Sequence, residues 1–386
     1  MGKPTKGQVN LILAAILLFS LLIRLPALFT RHIENDEVIY QVLADKVANN
    51  PSDYSIRGTP LVDQLPRSIY DQPLFHHPPL FAYLLGLIKN IFGARWEILI
   101  PILAAVFTSL VVFLIGKELY GEGVGLLSSF FFSICPVALH ASTKIWMDTL
   151  LGLFCVLSVY FAIKALKKEV IIWYILSGVS LGLAMLTKCT ALCIIPALLY
   201  ILFKDGFSKK KIKDFSILGI AALFITAPWF ILFYKTFHTF LPWWARQNEE
   251  SMRMFPFLKM AIGRPVYFYF TNTVIIAPIY LFGFIEMIRR LKTRGRLIET
   301  IWVLSFISGL TIIGATGGLG YITRYILPAL PGLALLSAGF LENRNKYFWI
   351  LACSFCAYSL FLGIINAYFF QVADVYGYSY FFSGPK

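Results

Sequence analysis

The run VIIWYILSGVSLGLAMLTKCTALCIIPALLYILF, residues 170–203, contains a single charged residue, Lys188. Crossing a hydrocarbon core of roughly 30 Å takes about 20 apolar residues, so the run is too long for one span and short for two. Its flanks decide between them. Lys164, Lys167 and Lys168 precede it, Lys204, Lys209, Lys210, Lys211 and Lys213 follow it, and short basic loops stay on the cytoplasmic side. Both ends are therefore inside, and the segment is predicted to be a hairpin whose arms of roughly 16 residues each rise only about 24 Å. The turn at Leu186-Thr187-Lys188 is expected to stop below the outer surface, which makes Lys188 a half-buried cation on that side.

Working outward, apolar windows of span length lie at Val9 to Phe29, Ile98 to Leu119, Val124 to His140, Met147 to Leu166, Phe215 to Phe233, Val266 to Met287, Leu297 to Ala315, Ile322 to Leu341 and Phe348 to Phe370. With the two hairpin arms they predict an all-α polytopic membrane protein of about eleven transmembrane helices, one membrane-embedded domain over residues 1–386. Composition agrees: 58% of residues are hydrophobic, 14% are charged and the mean hydropathy is +0.73, against about 25% charged in soluble domains. The first window follows Lys3 and Lys6 but is longer than the h-region of a signal peptide and has no small-residue cleavage site, so it reads as a retained anchor with a cytoplasmic N-terminus. Alternation from there places Arg289, Arg290, Lys292, Arg294, Arg296, Arg344 and Lys346 inside as well. The net charge of +14 is thereby explained by topology, with no call for nucleic acid. The six cysteines all lie in or at the ends of apolar segments and read as small buried hydrophobes; even Cys353 and Cys356, spaced as CxxC, lack the polar setting of a redox or zinc site.

The alternation holds only if Pro79 to Phe92 does not cross. That stretch is expected to be a short helix on the outer face, with Leu80, Phe81, Leu84, Leu85, Leu87 and Ile88 covered by lipid or protein. Residues 30–95 then form a long outer loop with juxtamembrane helices, and 236–265 a second large one. From Thr30 to Phe75 the first loop holds seven acids (Glu34, Asp36, Glu37, Asp45, Asp53, Asp63, Asp71) against four bases (Arg31, Lys46, Arg57, Arg67). Asp148, Lys188, the charges Arg246, Glu249, Glu250 and Arg253, and Arg324 share that face, as do all five histidines, His32, His76, His77, His140 and His238. Outer loops are also where polar residues are simply solvated, and Asn35 or Asp36 suits the N-cap of an amphipathic helix built on Val38, Ile39, Val42, Leu43 and Val47. The catalytic reading makes Asp36, with Glu37 and Asp148, a carboxylate set above a lipid substrate, able to take a proton from a hydroxyl. Lys188 and Arg324 have no acid one helical turn away, so a lipid phosphate suits them; snorkelling to headgroups is the rival explanation. Arg324, ahead of Pro328 and Pro331, is expected in an irregular first turn. His76 and His77 precede prolines, and extended backbone there would point them to opposite sides, one of them available to a divalent metal with Asp36 or Asp148. Trp243 and Trp244 are expected to anchor the interface.

These landmarks, in order, are Asn35-Asp36-Glu37 with Tyr40, His77-Pro78-Pro79-Leu80 then Phe92-Gly93, Gly116-Lys117-Glu118-Leu119-Tyr120-Gly121, Met147-Asp148, Gly182-Leu183-Ala184-Met185-Leu186-Thr187-Lys188, and Arg324-Tyr325-Ile326-Leu327-Pro328. The pattern resembles the GT-C glycosyltransferases that use polyprenyl-phosphate sugars, the group of the protein O-mannosyltransferases and the lipid A aminoarabinose transferase, from the first span to about Leu341. The resemblance implies a polyprenyl-phosphate sugar donor and a lipid, glycan or protein acceptor, with membrane lipids around both. It makes Asp36 the principal catalytic or acceptor-orienting acid, puts Asp148 in the second outer loop of the site, and assigns Arg324 and Tyr325 to the donor phosphate. His77 stands where the family often has a phosphate-contacting lysine, so either Lys188 or a protonated His77 supplies that charge. Relatives often carry a large further domain; here the chain ends soon after Phe370, and acceptor recognition is expected from its own loops.

The expected reaction is a single inverting in-line displacement at the anomeric carbon on the outer face. A transporter or lipid flippase is the alternative, and it predicts charged or broken helices near the bilayer midplane; Phe215 to Phe233 and Phe348 to Phe370 carry no charge. A non-catalytic assembly subunit is the third reading, and it would tolerate loss of Asp36 and Arg324 together.

Overall fold

The computed structural model describes residues 5–30, 33, 35–65, 70–240, 268–293, 295–315, 323–342 and 344–369. The second outer loop from residue 241 to 265, with Trp243, Trp244, Arg246, Glu249, Glu250 and Arg253, lies outside the described residues, as do His32 and residues 316–322. All regular structure among the described residues is helical. Helix α1 (Lys6–Leu22) opens with a capping box between Thr5 and Gln8. The hydrophilic interval after it holds α2 (Asn35–Asn49) and α3 (Leu80–Phe92). Next come α4 (Leu99–Tyr120), α5 (Glu122–Ser133), α6 (Pro136–Ser142) and α7 (Asp148–Lys168).

The expected hairpin is present. Helix α8 (Ile171–Thr187) stops where Lys188 turns extended, and a 3-10 turn over Cys189–Ile194 leads into α9 (Ile195–Phe203). The remaining helices are α10 (Lys209–Phe237), α11 (Tyr280–Thr293) behind a π turn at Thr271–Ile275, α12 (Ile298–Ala315), α13 (Leu330–Leu341) behind a 3-10 turn at Thr323–Ala329, and α14 (Lys346–Tyr368). Pro328 and Pro331 lack the N–H groups an α-helix would use there, which accounts for the irregular entry expected at Arg324. The indole N–H of Trp302 meets the freed carbonyl of Pro328 at 2.9 Å.

Among the described residues six helices are by themselves long and apolar enough to cross a bilayer, or eight if each of two bent pairs, 58° at residues 134–135 and 116° at 276–279, is one crossing. Eleven is reached only by adding both hairpin arms and α12, whose apolar stretches are 17 residues or shorter. Length alone therefore carries the sequence count no further than eight. The helices pack through small residues: a Cβ on Gly178 would collide with the Leu218 carbonyl of α10, and one on Gly182 would meet Ile225 and the Ala222 carbonyl at 2.8 and 2.9 Å, the close approach that small-xxx-small spacing allows in lipid.

Among the described residues two large apolar cores result, beside a small cluster of Ala141, Trp146 and Leu327. The larger runs through the bundle from Val111 to Ala352. The smaller organises the 30–95 loop: Ile39, Leu43 and Val47 of α2 and Phe81 and Leu85 of α3 pack with Tyr54 and Phe75, and against Trp229 and Phe233 of α10. Helix α3 buries Phe81, Ala82 and Leu85 on protein while Leu87, Ile91 and Phe92 remain exposed. Contact with α2 is close because Gly86 faces it; an added Cβ would lie 2.9 Å from the Ala44 carbonyl and 3.2 Å from Val47. Gly86→Val should therefore force α2 and α3 apart at a cost of about 1–3 kcal/mol. A thermal unfolding midpoint in detergent equal to that of the unmodified protein would show that the two helices do not need this approach.

Candidate active site

Four chain segments converge above the bundle. Asp36 and Glu37 occupy the first turn of α2. Residues 143–148 join α6 to α7 and carry Lys144, Trp146 and Asp148; Lys188 caps α8; Arg324 and Tyr325 sit in the 3-10 turn before α13. Each is an end or a break in a helix, where the backbone releases a side chain sideways instead of into the next turn.

Arg324 is the hub. Its Nη2 donates to Asp36, its Nε lies 3.3 Å from Asp148 Oδ2, and its guanidinium stacks 4.1 Å from the Trp146 ring centre. Lys188 Nζ donates to the other Asp148 oxygen at 2.8 Å and lies 3.4 Å from the Tyr325 ring centre. The sequence left both cations without a local acid; folding supplies acids from 288 and 40 residues away. Two acids and two cations balance, yet two donors stay unfilled: Arg324 Nε and the buried indole N–H of Trp146 have no hydrogen-bond partner. Exposure separates the four charges. Asp36 is 42% exposed, whereas Arg324, Lys188 and Asp148 are 10%, 8% and 2% exposed. Asp36 is the open edge of an otherwise buried cluster.

The neighbours Asp36 and Glu37 have different surroundings. Glu37 is fully buried and accepts the Ile145 N–H at 2.8 Å, tying α2 to the segment that carries Trp146 and Asp148. The other paired acids of the loop, Asp45 with Lys89, Asp53 with Lys46 and Asp71 with Arg57, form partly exposed ion pairs, each worth at most about 1 kcal/mol. They are the solvated charges that the bland reading anticipated.

His77 also reaches the cluster. Its imidazole is held down at about 3 by burial and then by the charges of Lys188 and Arg324, so it is neutral at pH 7. The backbone at 76–77 bends instead of extending, and the two rings lie 4.4 Å apart, where opposite directions were expected. Tyr40 and Tyr70 complete the surround. Burial, then the charge of Asp36, raises both phenols, Tyr70 to about 12. No group of three or more His, Cys, Asp or Glu able to hold a metal stands among the described residues, and both Asp148 oxygens already face cations. His76 and His77, considered for a metal, stand in no such group among the described residues.

Sequence reasoning named Asp36, Asp148, Lys188, Arg324, Tyr325 and His77, and the fold brings all six together. It missed Trp146. Its only signal was an aromatic residue two places before Asp148.

Residues 76–232 match the family model described as dolichyl-phosphate-mannose-protein mannosyltransferase, a stretch that includes His77, Asp148 and Lys188. An uncharacterized protein of Aquifex aeolicus is 26% identical over 280 residues, which cover 69% of this chain and 53% of the relative. The chain thus spans about half the length of that curated relative. ArnT from Cupriavidus metallidurans, in its crystal structure bound to undecaprenyl phosphate, matches with a TM-score of 0.66 at 17% identity, over 90% of this chain and 62% of ArnT. The Archaeoglobus fulgidus oligosaccharyltransferase, in complex with zinc and sulfate, matches with a TM-score of 0.63 at 16% identity, over 92% of this chain and 53% of the other. At such identities the structures speak for the fold alone: the chain has a GT-C-like fold, shared with ArnT and the oligosaccharyltransferase.

Proposed function

We propose that this chain is a glycosyltransferase that moves a sugar from a polyprenyl-phosphate donor to an acceptor hydroxyl on the non-cytoplasmic face. The observation that carries the reading is the Arg324 cluster, a buried cation pair held by one buried acid, Asp148, and one exposed acid, Asp36, at its rim. An anion arriving at the rim takes the place of Asp36 on Arg324. ArnT, whose fold this chain shares, was crystallised with undecaprenyl phosphate, a lipid of the proposed donor class. The basic loops at the opposite end of the bundle support the sidedness.

The donor phosphate takes the place of Asp36 on Arg324, while Asp148 keeps its contacts with Lys188 and Arg324. Released at the open edge, Asp36 accepts the proton of the acceptor hydroxyl. The hydroxyl oxygen attacks the anomeric carbon as the bond from that carbon to the phosphate oxygen breaks, so polyprenyl phosphate leaves with the bonding pair and the configuration inverts. Negative charge grows on the departing phosphate beside cations already fixed in place, where one such donor is worth about 3–4 kcal/mol of barrier. His77, being neutral, contributes hydrogen bonding or packing and leaves the charge to Arg324 and Lys188. Glu37 acts by positioning: its bond to Ile145 sets α2 against Trp146 and Asp148.

Two outcomes test this. With purified protein and a panel of radiolabelled polyprenyl-phosphate sugars, Asp36→Asn should slow transfer about 100- to 10,000-fold without weakening donor binding, because it removes a competitor for Arg324. Arg324→Ala should lose both donor binding and turnover. Full transfer by Asp36→Asn would remove the base assignment, and no transfer from any donor by the unmodified protein would remove the transferase reading. The second outcome concerns pH. The folded His77 pKa of about 3 lies below the ordinary value near 6.5, so His77 supports the fold fully above about 6.5, and between about 6.5 and 3 only the unfolded chain takes up its proton. Acidification through that window should weaken the fold, and the His77 ring, assigned by His77→Gln in ring-labelled protein, should show no NMR titration between about pH 5 and 8. A midpoint near 6.5 would contradict the burial of this ring among cations.

A further inference from the structure

At the far end of the bundle a cavity of about 400 Å³ opens between the ends of α4, α7 and α9 and the start of α12, lined by Lys167, Lys204, Asp205 and Arg296 with an apolar wall that includes Ile163 and Leu166. Asp148 and Lys167 sit at opposite ends of α7, about 28 Å apart along its axis, close to the thickness of a hydrocarbon core. The cavity is therefore at the other membrane surface from the Arg324 cluster.

We propose that this cavity binds the phosphate headgroup of an anionic membrane phospholipid. Charge favours it. Lys164 and Lys167 share a single carboxylate, Glu118, with Lys167 at 3.0 Å. Lys204 pairs with Asp205 at 2.7 Å, and Arg296 donates to the neutral carbonyl of Leu119. The lining itself thus holds three cations, Lys167, Lys204 and Arg296, against one acid, Asp205, with Glu118 shared behind Lys167. The N-terminus of α12 at Ile298 adds backbone donors on the same side, and Glu299 in its first turn is already neutralised by Arg290 at 2.9 Å and Tyr120 at 2.6 Å. The C-termini of α4, α7 and α9 oppose an anion; part of the positive charge offsets them and the rest is surplus. Topology explains why these residues are basic, but a basic loop needs no cavity with an apolar wall. Headgroup phosphate against the cations and glycerol against Ile163 and Leu166 uses both halves. Basic pockets between helix ends recognise anionic lipids in this way.

The test is native mass spectrometry and thermal unfolding of the whole protein in neutral detergent, with dioleoylphosphatidylglycerol, dioleoylphosphatidylcholine or inorganic phosphate added. Phosphatidylglycerol should be retained and should raise the unfolding midpoint, phosphatidylcholine should do neither, and binding should weaken about fivefold for each cation removed in Lys204→Gln and Arg296→Gln. Lys204→Gln alone decides the matter where the double variant fails to fold, since Lys204 pairs with the adjacent exposed Asp205. Arg324→Gln should leave phosphatidylglycerol binding unchanged. Equal binding of the two lipids, full stabilisation by inorganic phosphate alone, undiminished binding by Lys204→Gln, or loss of binding only in Arg324→Gln would each overturn the proposal.

Discussion

A guanidinium buried at the mouth of a membrane bundle must find acids, and Arg324 finds two, from segments that share no other reason to meet. Asp36 lies before all but one of the candidate crossings and Asp148 starts a helix in the middle of the chain. An unpaired buried charge costs several kcal/mol, and even a paired one seldom repays its desolvation. The cluster therefore does little for stability, and its value is in fixing directions. Trp146 beneath the guanidinium and Tyr325 beneath Lys188 hold both cations before any ligand arrives, which is the condition for electrostatic catalysis without reorganisation during the reaction.

The scaffold serves that constraint. The smaller core presses α2 and α3 against α10, and the bond from Ile145 to Glu37 stitches α2 to the α6–α7 connection. Arg24, fully buried, reinforces the same connection from below through Ser142 Oγ at 2.8 Å, the Ser133 carbonyl at 3.1 Å and Ser20. A second ionic cluster ties the opposite end: Arg290 holds Glu286 at 2.8 Å and Glu299 at 2.9 Å, with Tyr120 between. Between these polar ends the larger core is apolar. That separation fits chemistry at one surface better than passage through the bilayer.

Much of this was legible in the chain because lipid imposes strong rules. The Lys residues on both sides of residues 170–203 dictated a hairpin, and the one charge inside it marked the turn. The need to keep basic loops on one side kept Leu80–Phe92 out of the bundle. Long-range pairing was beyond the sequence. Lys188 and Arg324 lack nearby acids along the chain, so a ligand was the natural partner to expect, and only the fold shows Asp148 between them. Glu37 looked equivalent to Asp36, but a helix turns about 100° per residue, which sends one carboxylate to the rim and its neighbour into the packing. Span number was illegible for a related reason: short and broken helices satisfy the bilayer by packing on neighbours, which apolar length does not record.

The acids that replace the expected ligand also set the order of events in the proposed reaction. In the free protein the exposed carboxylate of Asp36 is bonded to the most buried arginine of the site. A carboxylate oxygen engaged by a guanidinium is not open to a hydroxyl. A phosphate that displaces it frees that oxygen and, in the same step, brings the sugar's anomeric carbon to the cluster. Asp148 cannot be displaced as easily, because it is 2% exposed and shared by two cations. In the proposed reaction the asymmetry between an exposed acid and a buried one thus couples donor binding to acceptor activation, so that the base is released only when a phosphate occupies Arg324.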